Sequence, residues 1–477
     1  MQDPKSTTGE VPLTKSEFLA FLECEKDFWL QRRRPDAINR PPPSDFDKLL
    51  MEDGYAVEAV ARAMFAARAD AERFTYQTQL TDGHCFARAD IIGMLPDGRV
   101  EIYEVKSSTS PKEHIADACF QRIVAERSGL EVAASYIVHV DSDYRRSGAL
   151  DAEAFLVFAP VDEAIAQVRA EIEEGIEHAL ALLAEETIDE TGCGCLLKSR
   201  ARQCASFAYF NPNQPDPSVH VLPRMAGARL AKLVEEGRQS VHDATPDDVT
   251  AAQLPVLLAM QSGKPIIDRD AIRTFLAELT FPLHFYDYET AAGAIPMAEG
   301  HGPHEQIPVQ FSCHVLAEDG SLSHAEFLAQ NHGEEGALVE ALRLTVEDAG
   351  SVLVWNETFE RGCNRRMARL LPDDADFLED VNIRTVDLMS PFRRHYVDPG
   401  FYGSTSIKKV LPVLCPSLSY DGMAVHDGTG AILAFREMVD CQETDRRDAL
   451  RDQLIEYCRL DTLAMVEIYR RLVATCE

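Results

Sequence analysis

Residues 284–290 read His284-Phe285-Tyr286-Asp287-Tyr288-Glu289-Thr290. Alternate side chains of a strand point to opposite faces. Asp287 and Glu289 therefore share one face of a strand whose other residues suit burial. This strand, Leu283–Glu289, opens a second half of α/β pattern. A hairpin follows, with Val309–Leu316 and Leu322–Leu328 joined around Asp319-Gly320; Asp-Gly is a turn signal. A strand, Val352–Trp355, sits between helical segments, and a long amphipathic helix spans roughly residues 445–474.

Two further acidic segments belong with that strand. Asn356-Glu-Thr-Phe359-Glu360 runs from a strand into a helix, and Tyr457-Cys-Arg-Leu-Asp461 lies on the last helix. The i, i+4 spacing puts Tyr457 and Asp461 on one helical face. Carboxylates from separate elements converging on a sheet are what two-metal phosphodiester hydrolysis requires. There, two ions about 4 Å apart activate water and stabilise the leaving oxygen. Asp387, in Thr385-Val-Asp387-Leu, ranks lower as an extra ligand. The plain alternative is that Tyr457 and Asp461 are helix-surface residues.

The order D-x-E, N-x-x-F-E and Y-x-x-x-D over about 281–470 resembles the DEDD exonucleases of RNase H-like fold, in the subtype with a tyrosine. The resemblance implies that Asp287, Glu289, Glu360 and Asp461 hold Mg²⁺ or Mn²⁺ and that Tyr457 orients the attacking water. Glu360 stands where that family usually has Asp.

Working outward, the first half also reads as α/β. A capping box, Thr14 to Glu17, opens a first helix carrying Phe18, Phe21, Leu22, Phe28 and Trp29. A second helix spans roughly 44–69. Strands are expected at Phe74–Leu80, Cys85–Leu95, Val100–Ser107 and Val132–Val140. Between the last two, a helix has Ser110 as N-cap, Pro111 at N1, Glu113 closing the box and Gly129 as its stop. Asp90 lies mid-strand, and Glu104 and Lys106 are two apart on the next strand. Charged groups in apolar strands are costly unless they pair or bind a metal. Two carboxylates hold Mg²⁺ or Mn²⁺ with waters completing the shell. A lysine beside them can position or deprotonate the attacking water. The alternative is a cross-strand salt bridge on an exposed face.

The surroundings resemble the PD-(D/E)XK nuclease superfamily, in its RecB-like branch, which includes CRISPR-associated members with an iron–sulfur cluster. The matching residues are Cys24, Gly54 with Glu58, Asp90, Glu104-Val-Lys106, Gln121, and Cys193, Cys195 and Cys204, in order through residues 14–205. The resemblance implies metal ligation by Glu58, Asp90 and Glu104, and catalytic roles for Asp90, Glu104, Lys106 and Gln121. Ala125 stands where the Q-x-x-x-Y motif has tyrosine, and the late cysteines follow C-x-C-x₈-C. Four thiolates suit [4Fe–4S] or Zn²⁺; the resemblance favours the cluster, with zinc as the alternative. Anaerobic protein is then expected to be brown. Cys24 would clip the first helix to the domain's end.

The chain has 477 residues, 45% hydrophobic and 26% charged, the balance of a globular protein of two or three domains. No apolar run reaches membrane-spanning length, and MQDPKSTTGEVPLTK has no signal-peptide core, so a cytoplasmic location with reduced thiols is expected. Lys+Arg number 47 against 79 Asp+Glu, a net charge of −32. That sign argues against passive coating of nucleic acid. Pro41–Pro43 separates the first helix from the second, while the break at Asn211–Pro217 and the strand-like run opening at Phe281 suggest three parts. These are residues 1–210 as a PD-(D/E)XK domain with the cysteine group, 211–274 as a linker or helical segment, and 275–477 as an RNase H-like domain. Gly263-Lys264 lacks the preceding glycine of a P-loop. Loop residues His301 and His304 read as solvated.

The segments Asp287-Tyr-Glu-Thr, Gln306-Ile-Pro-Val-Gln310-Phe-Ser, Tyr402-Gly-Ser-Thr-Ser-Ile-Lys408-Lys-Val-Leu-Pro412 and Tyr457-Cys-Arg-Leu-Asp461-Thr resemble a bacterial domain-of-unknown-function family that joins the two nuclease-like halves, a resemblance spanning nearly the whole chain. The leading expectation is a metal-dependent nuclease on DNA, single-stranded by preference. The rivals are a nucleic-acid-binding or scaffold protein with inactive nuclease folds, and a cluster-bearing sensor.

Overall fold

The computed structural model describes residues 11–477. The N-terminal stretch read for a signal sequence therefore lies, up to residue 10, outside the described residues. The chain forms two units. The first takes the chain up to Asn213 with Ala294–Pro296 and Gly302–His304; the second takes Gln214–Gly293, Met297–His301 and Glu305–Glu477. Each is a mixed α/β structure. No helix among the described residues is long and apolar enough to cross a membrane.

In the first unit, strand Cys85–Met94 pairs antiparallel with Phe74–Thr81 and Val100–Val105. Val100–Val105 pairs in parallel with Val132–Val140 across the helix Ile115–Arg127. Leu156–Pro160 closes one edge. Phe18, Phe21, Phe120, Ile123 and Ile172 cover one face of the sheet, while Val57, Ala61 and Phe65 cover the other. Strict alternation would bury Ala87, Ala89 and Ile91 together. Instead Ala87 and Ala89 join the first core and Ile91 joins the second. The change of face falls at Asp90 and at its neighbour Gln77, which holds φ 52.

Two readings of this unit need correction. The first helix is two: Lys15–Glu23 and Glu25–Arg33, broken at extended Cys24 (φ −161°, ψ 105°). Cys24 serves both, since its N–H donates to Ala20 O and its carbonyl accepts from Phe28 N, each at 2.9 Å. The break turns the Cys24 thiol toward the late cysteines, a demand no local pattern announces. The helix after Ser110 starts one turn later than its capping pattern implies. A 3₁₀ turn, Lys112–His114, precedes the α-helix Ile115–Arg127, and Ser110 Oγ accepts only from Lys112 N at 3.3 Å.

The second unit is built on a five-stranded sheet. Its spatial order is Leu322–Leu328, Ile307–Leu316, Leu283–Ala291, Ser351–Val354, Thr385–Asp387. The first two pairings are antiparallel and the last two parallel. Tyr286 and Tyr288 face a core with Leu338, Leu342, Met367 and Leu378. Leu283 and Phe285 face the other way, under Ala464, Met465 and Ile468 of the Thr444–Cys476 helix. The pairing slips between Glu289 and Thr290, where Pro308 lies opposite. A proline is tolerated in a central strand at such an irregularity because no ladder donor is needed there. Residues from Val219 to Met260 form a further core that includes Val397. His301, read as a solvated loop residue, is buried, with Nε2 3.0 Å from Glu335 Oε1.

Gly350 enters strand Ser351–Val354 at φ +89°, and a Cβ there would lie 2.0 Å from the Pro282 carbonyl oxygen. Gly350→Ala is therefore expected to destabilise the second unit by more than about 1 kcal/mol. The measurement is a urea midpoint; an unchanged midpoint would mean that the turn relaxes freely.

Candidate functional site

Three groups of reactive side chains stand out. One lies in a cleft of about 540 Å³ in the second unit, lined among others by Asp287, Glu289, Glu360, Lys408, Tyr457 and Asp461. Strand alternation sends Asp287 and Glu289 to the face of Phe285, toward the C-terminal helix. That helix presents Tyr457 and Asp461 one turn apart. Glu360 arrives from the first turn of Glu357–Leu370. Burial pushes the Asp287 carboxyl well above its usual range, aided by the charges of Asp461 and Glu289. Burial, then Asp461, does the same to Glu289. Burial raises Glu360 to about 8 and Asp461 to about 6, the latter opposed by Tyr420 and Lys408. The Asp287 carboxyl hydrogen-bonds Glu360.

Tyr420 donates to Asp461 Oδ1 at 2.5 Å. Lys408 donates to Tyr457 Oη at 3.1 Å and to His426 O at 2.5 Å. Cys458 Sγ, a Glu289 oxygen and an Asp287 oxygen all lie within 4.8 Å of one another. Asp387 does not line the cleft; it is paired with Arg393 at 3.1 Å and accepts from Met389 N. Four carboxyls around one ammonium are stable as neutral acids or as ligands of cations. The carboxylate oxygens, with one buried Glu360 oxygen left without a partner, fit hard divalent ions.

This electrostatic state predicts a pH response. Glu360, raised to about 8, binds a proton in the folded metal-free protein that the unfolded chain releases near 4.5. Its contribution to stability is thus full below about 4.5 and is lost as pH rises to about 8. Ion binding must displace such protons. Mn²⁺ affinity is expected to rise from pH 6 to pH 8 with net proton release, read by titration calorimetry in two buffers of different ionisation enthalpy.

The second group is in the first unit. Asp90 accepts from Val105 N at 2.8 Å and from Gln77 Nε2 at 3.1 Å, and the same amide donates to Glu58 at 2.5 Å. Burial and the Glu104 charge raise Asp90 to about 7. Glu104 Oε1 is bonded by Lys15 at 2.6 Å and Lys106 at 2.8 Å. Burial favours its neutral form, but Lys106 and Lys15 override this and hold it at about 2. Lys106 also pairs with Asp117. Gln121 is fully buried; its Oε1 lies 3.3 Å from Lys15 Nζ, and its Nε2 has no partner. Ala125, at the tyrosine position of the motif, packs in the core, so no hydroxyl is offered there.

The third group is Cys24, Cys193, Cys195 and Cys204, whose sulfurs all lie within 4.8 Å of one another. Gly192, at φ +72°, turns the chain into it. Cys204 and Cys24 hydrogen-bond the Cys193 sulfur and lower its pKa, while their bonds to Cys193 raise both Cys24 and Cys204, so the metal-free group favours a single thiolate at Cys193. Asn211 Nδ2 donates to the same sulfur at 3.5 Å. All twelve cysteines are free thiols. Four thiols within reach of one ion can hold a metal or a cluster.

The structure brings together Asp287, Glu289, Glu360, Tyr457 and Asp461 in one cleft, Glu58, Asp90, Glu104, Lys106 and Gln121 around a second site, and the four cysteines in a third. Reading the sequence missed Lys15, Gln77, Asp117, Tyr420 and Cys458. Asp117 was discoverable, since Asp117 and Gln121 are one helical turn apart. Tyr420 sits in a loop that carries no signal.

The chain is thus a mixed α/β protein with three groups of candidate ligands. Residues 284–406 carry a domain described as "Domain of unknown function (DUF2779)". No curated protein matches the chain.

Proposed function

We propose that the protein is a divalent-metal-dependent phosphodiester hydrolase acting on nucleic acid, with single-stranded DNA as the favoured substrate and the cleft of the second unit as its main cutting centre. The observation that carries this reading is the convergence of Asp287, Glu289, Glu360 and Asp461 in one cleft, where burial leaves their charge to be matched by added cations. Bound Mg²⁺ or Mn²⁺ would supply an acidified water and charge stabilisation at the phosphoryl oxygens. Asp287, Glu289 and Asp461, with Glu360, would hold the ions. Tyr457 would orient the attacking water, its hydroxyl kept protonated by burial and by the Asp461 charge. Lys408, with its ammonium 5.2 Å from the Tyr457 ring centroid, is placed to meet a phosphate.

The strand order 3-2-1-4-5, with only the second strand reversed, supports an RNase H-like fold for this unit. In the first unit, the meeting of Asp90, Glu104 and Lys106 on adjacent strands supports a PD-(D/E)XK reading. The cysteine group is proposed as a structural metal site. Tetrahedral Zn–S bonds of about 2.3 Å set sulfurs about 3.8 Å apart. The Cys193–Cys204 sulfur separation of 4.0 Å suits one Zn²⁺ better than a larger iron–sulfur cube, the alternative that the family resemblance favours. Colourless protein with one zinc per chain is the expected result; brown protein would restore the cluster.

The deciding assay uses full-length protein with labelled single- and double-stranded DNA and RNA, in Mg²⁺, Mn²⁺ or chelator. Metal-dependent shortening of single strands from 3′ ends is expected. Binding without cleavage in every metal would replace this reading with a nucleic-acid-binding protein. One observation favours that second reading for the first unit: Lys15 and Lys106 already neutralise Glu104 and Asp117. In an Asp287→Asn/Asp461→Asn protein, residual cleavage that Lys106→Ala removes would assign a second cutting site to that unit.

A further inference from the structure

Lys15 is the first residue of its helix, next to the capping Thr14. Its ammonium reaches three groups of the first-unit site: Glu104 Oε1 at 2.6 Å, Asp117 Oδ1 at 3.0 Å and Gln121 Oε1 at 3.3 Å. Lys106 bonds the same Glu104 oxygen at 2.8 Å and the other oxygen of Asp117. The four side chains thus form a closed ring of alternating charge: Lys15, Glu104, Lys106, Asp117. The second Glu104 oxygen, Oε2, is left buried without a partner. Asp90 lies beside Glu104 across the strand pair: its carboxylate accepts from the N–H of Val105, the residue after Glu104, at 2.8 Å and from the Gln77 amide at 3.1 Å.

A ring of this kind divides the site. One oxygen of Glu104 is committed to ammonium groups; the other, with Asp90, fits a divalent ion. We propose that Lys15 is a positioning residue that acts as a fixed cation. It claims Glu104 Oε1 and Asp117, limits the site to one divalent ion on Glu104 Oε2 and Asp90, and keeps Lys106 shared between two carboxylates instead of locked onto Asp117. This rests on the hydrolase reading of the first unit.

The charges give a result that a merely structural role would not. Without Lys15, four carboxylates (Glu58, Asp90, Glu104, Asp117) face one ammonium. A divalent ion is then attracted more strongly, while Lys106 is drawn into the gap and away from substrate. The experiment uses the full chain carrying Asp287→Asn and Asp461→Asn, so that the second unit's ligands are weakened. Lys15→Met is expected to tighten Mn²⁺ binding, by calorimetry or paramagnetic resonance, on the order of tenfold or to add a second ion. Lys106-dependent cleavage should fall at the same time. Lys15→Arg should keep the parent's Mn²⁺ affinity. Asp117→Asn, which removes one negative charge and keeps both lysines, should weaken Mn²⁺ several-fold.

Natively folded Lys15→Met that binds Mn²⁺ as the parent does, or more weakly, overturns the assignment. If Lys15→Met does not fold, an unchanged Mn²⁺ affinity in Asp117→Asn overturns it instead, and the several-fold weakening supports it. Shifted affinities with no cleavage by any protein of the series sustain Lys15's role and remove the hydrolase reading of this unit. Unshifted affinities with Lys106-dependent cleavage do the reverse.

Discussion

Asp461→Asn is expected to lower Mn²⁺-dependent cleavage of single strands by at least about a thousandfold, the loss that follows when roughly 4 kcal/mol of transition-state stabilisation disappears. Asp461 comes from a different element than Asp287 and Glu289, and it is hydrogen-bonded by Tyr420 at 2.5 Å. An amide there keeps the shape and the tyrosine contact but loses the charge that draws a cation. Fold and melting temperature should therefore persist or improve, since burial penalises the carboxylate. Tyr457→Phe should cost less, about tenfold, because ordered water can take part of a hydroxyl's place. Its partner Lys408 would lose one acceptor and keep His426 O. Glu360→Gln probes the glutamate that stands where the DEDD resemblance expects aspartate; a mild effect would leave three carboxylates sufficient, with Asp387 committed to Arg393. Full cleavage by Asp461→Asn, with its metal affinity intact, would remove the cleft from the chemistry.

The second large effect is expected from Cys204→Ala. Four-thiolate metal binding is coupled to folding, because the unfolded chain lacks the site. The ligands span Cys24 to Cys204, so the metal closes nearly the whole first unit into one loop. Loss of one ligand should release the metal and lower the melting transition of that unit by on the order of 10 °C. Calorimetry on the full chain, with metal analysis of parent and variant, reads both effects. The second unit's transition should not move. Equal metal content in the two proteins would mean that the sulfurs are packing groups. Their burial beside Trp29, Leu30 and Phe210 would then suffice to hold them.

Much of this architecture is legible from local pattern. The Ile307–Leu316 and Leu322–Leu328 hairpin, the Val132–Val140 strand and the long C-terminal helix follow from period, turn residues and length, because each is selected by interactions between near neighbours in the chain. The shared face of Asp287 and Glu289, and of Tyr457 and Asp461, is likewise a property of strand and helix repeat alone. What local pattern does not carry is where the elements meet. Cys24 breaks a helix at the point where distant sulfurs lie beside it. Gln77 takes a left-handed conformation where the sheet changes its buried face, and its amide bridges Glu58 and Asp90 across that change. Lys15 and Asp117 look like ordinary first-turn helix residues until packing brings both against Glu104. Tyr420 reaches Asp461 from a loop of no regular period. Such placements arise from burial and charge pairing between residues far apart in sequence. The sequence alone determined most of the elements and the shared faces of Asp287 with Glu289 and of Tyr457 with Asp461; only the tertiary structure decided where helices break, where a strand changes its buried face, which charges neutralise one another and which remain to hold a cation.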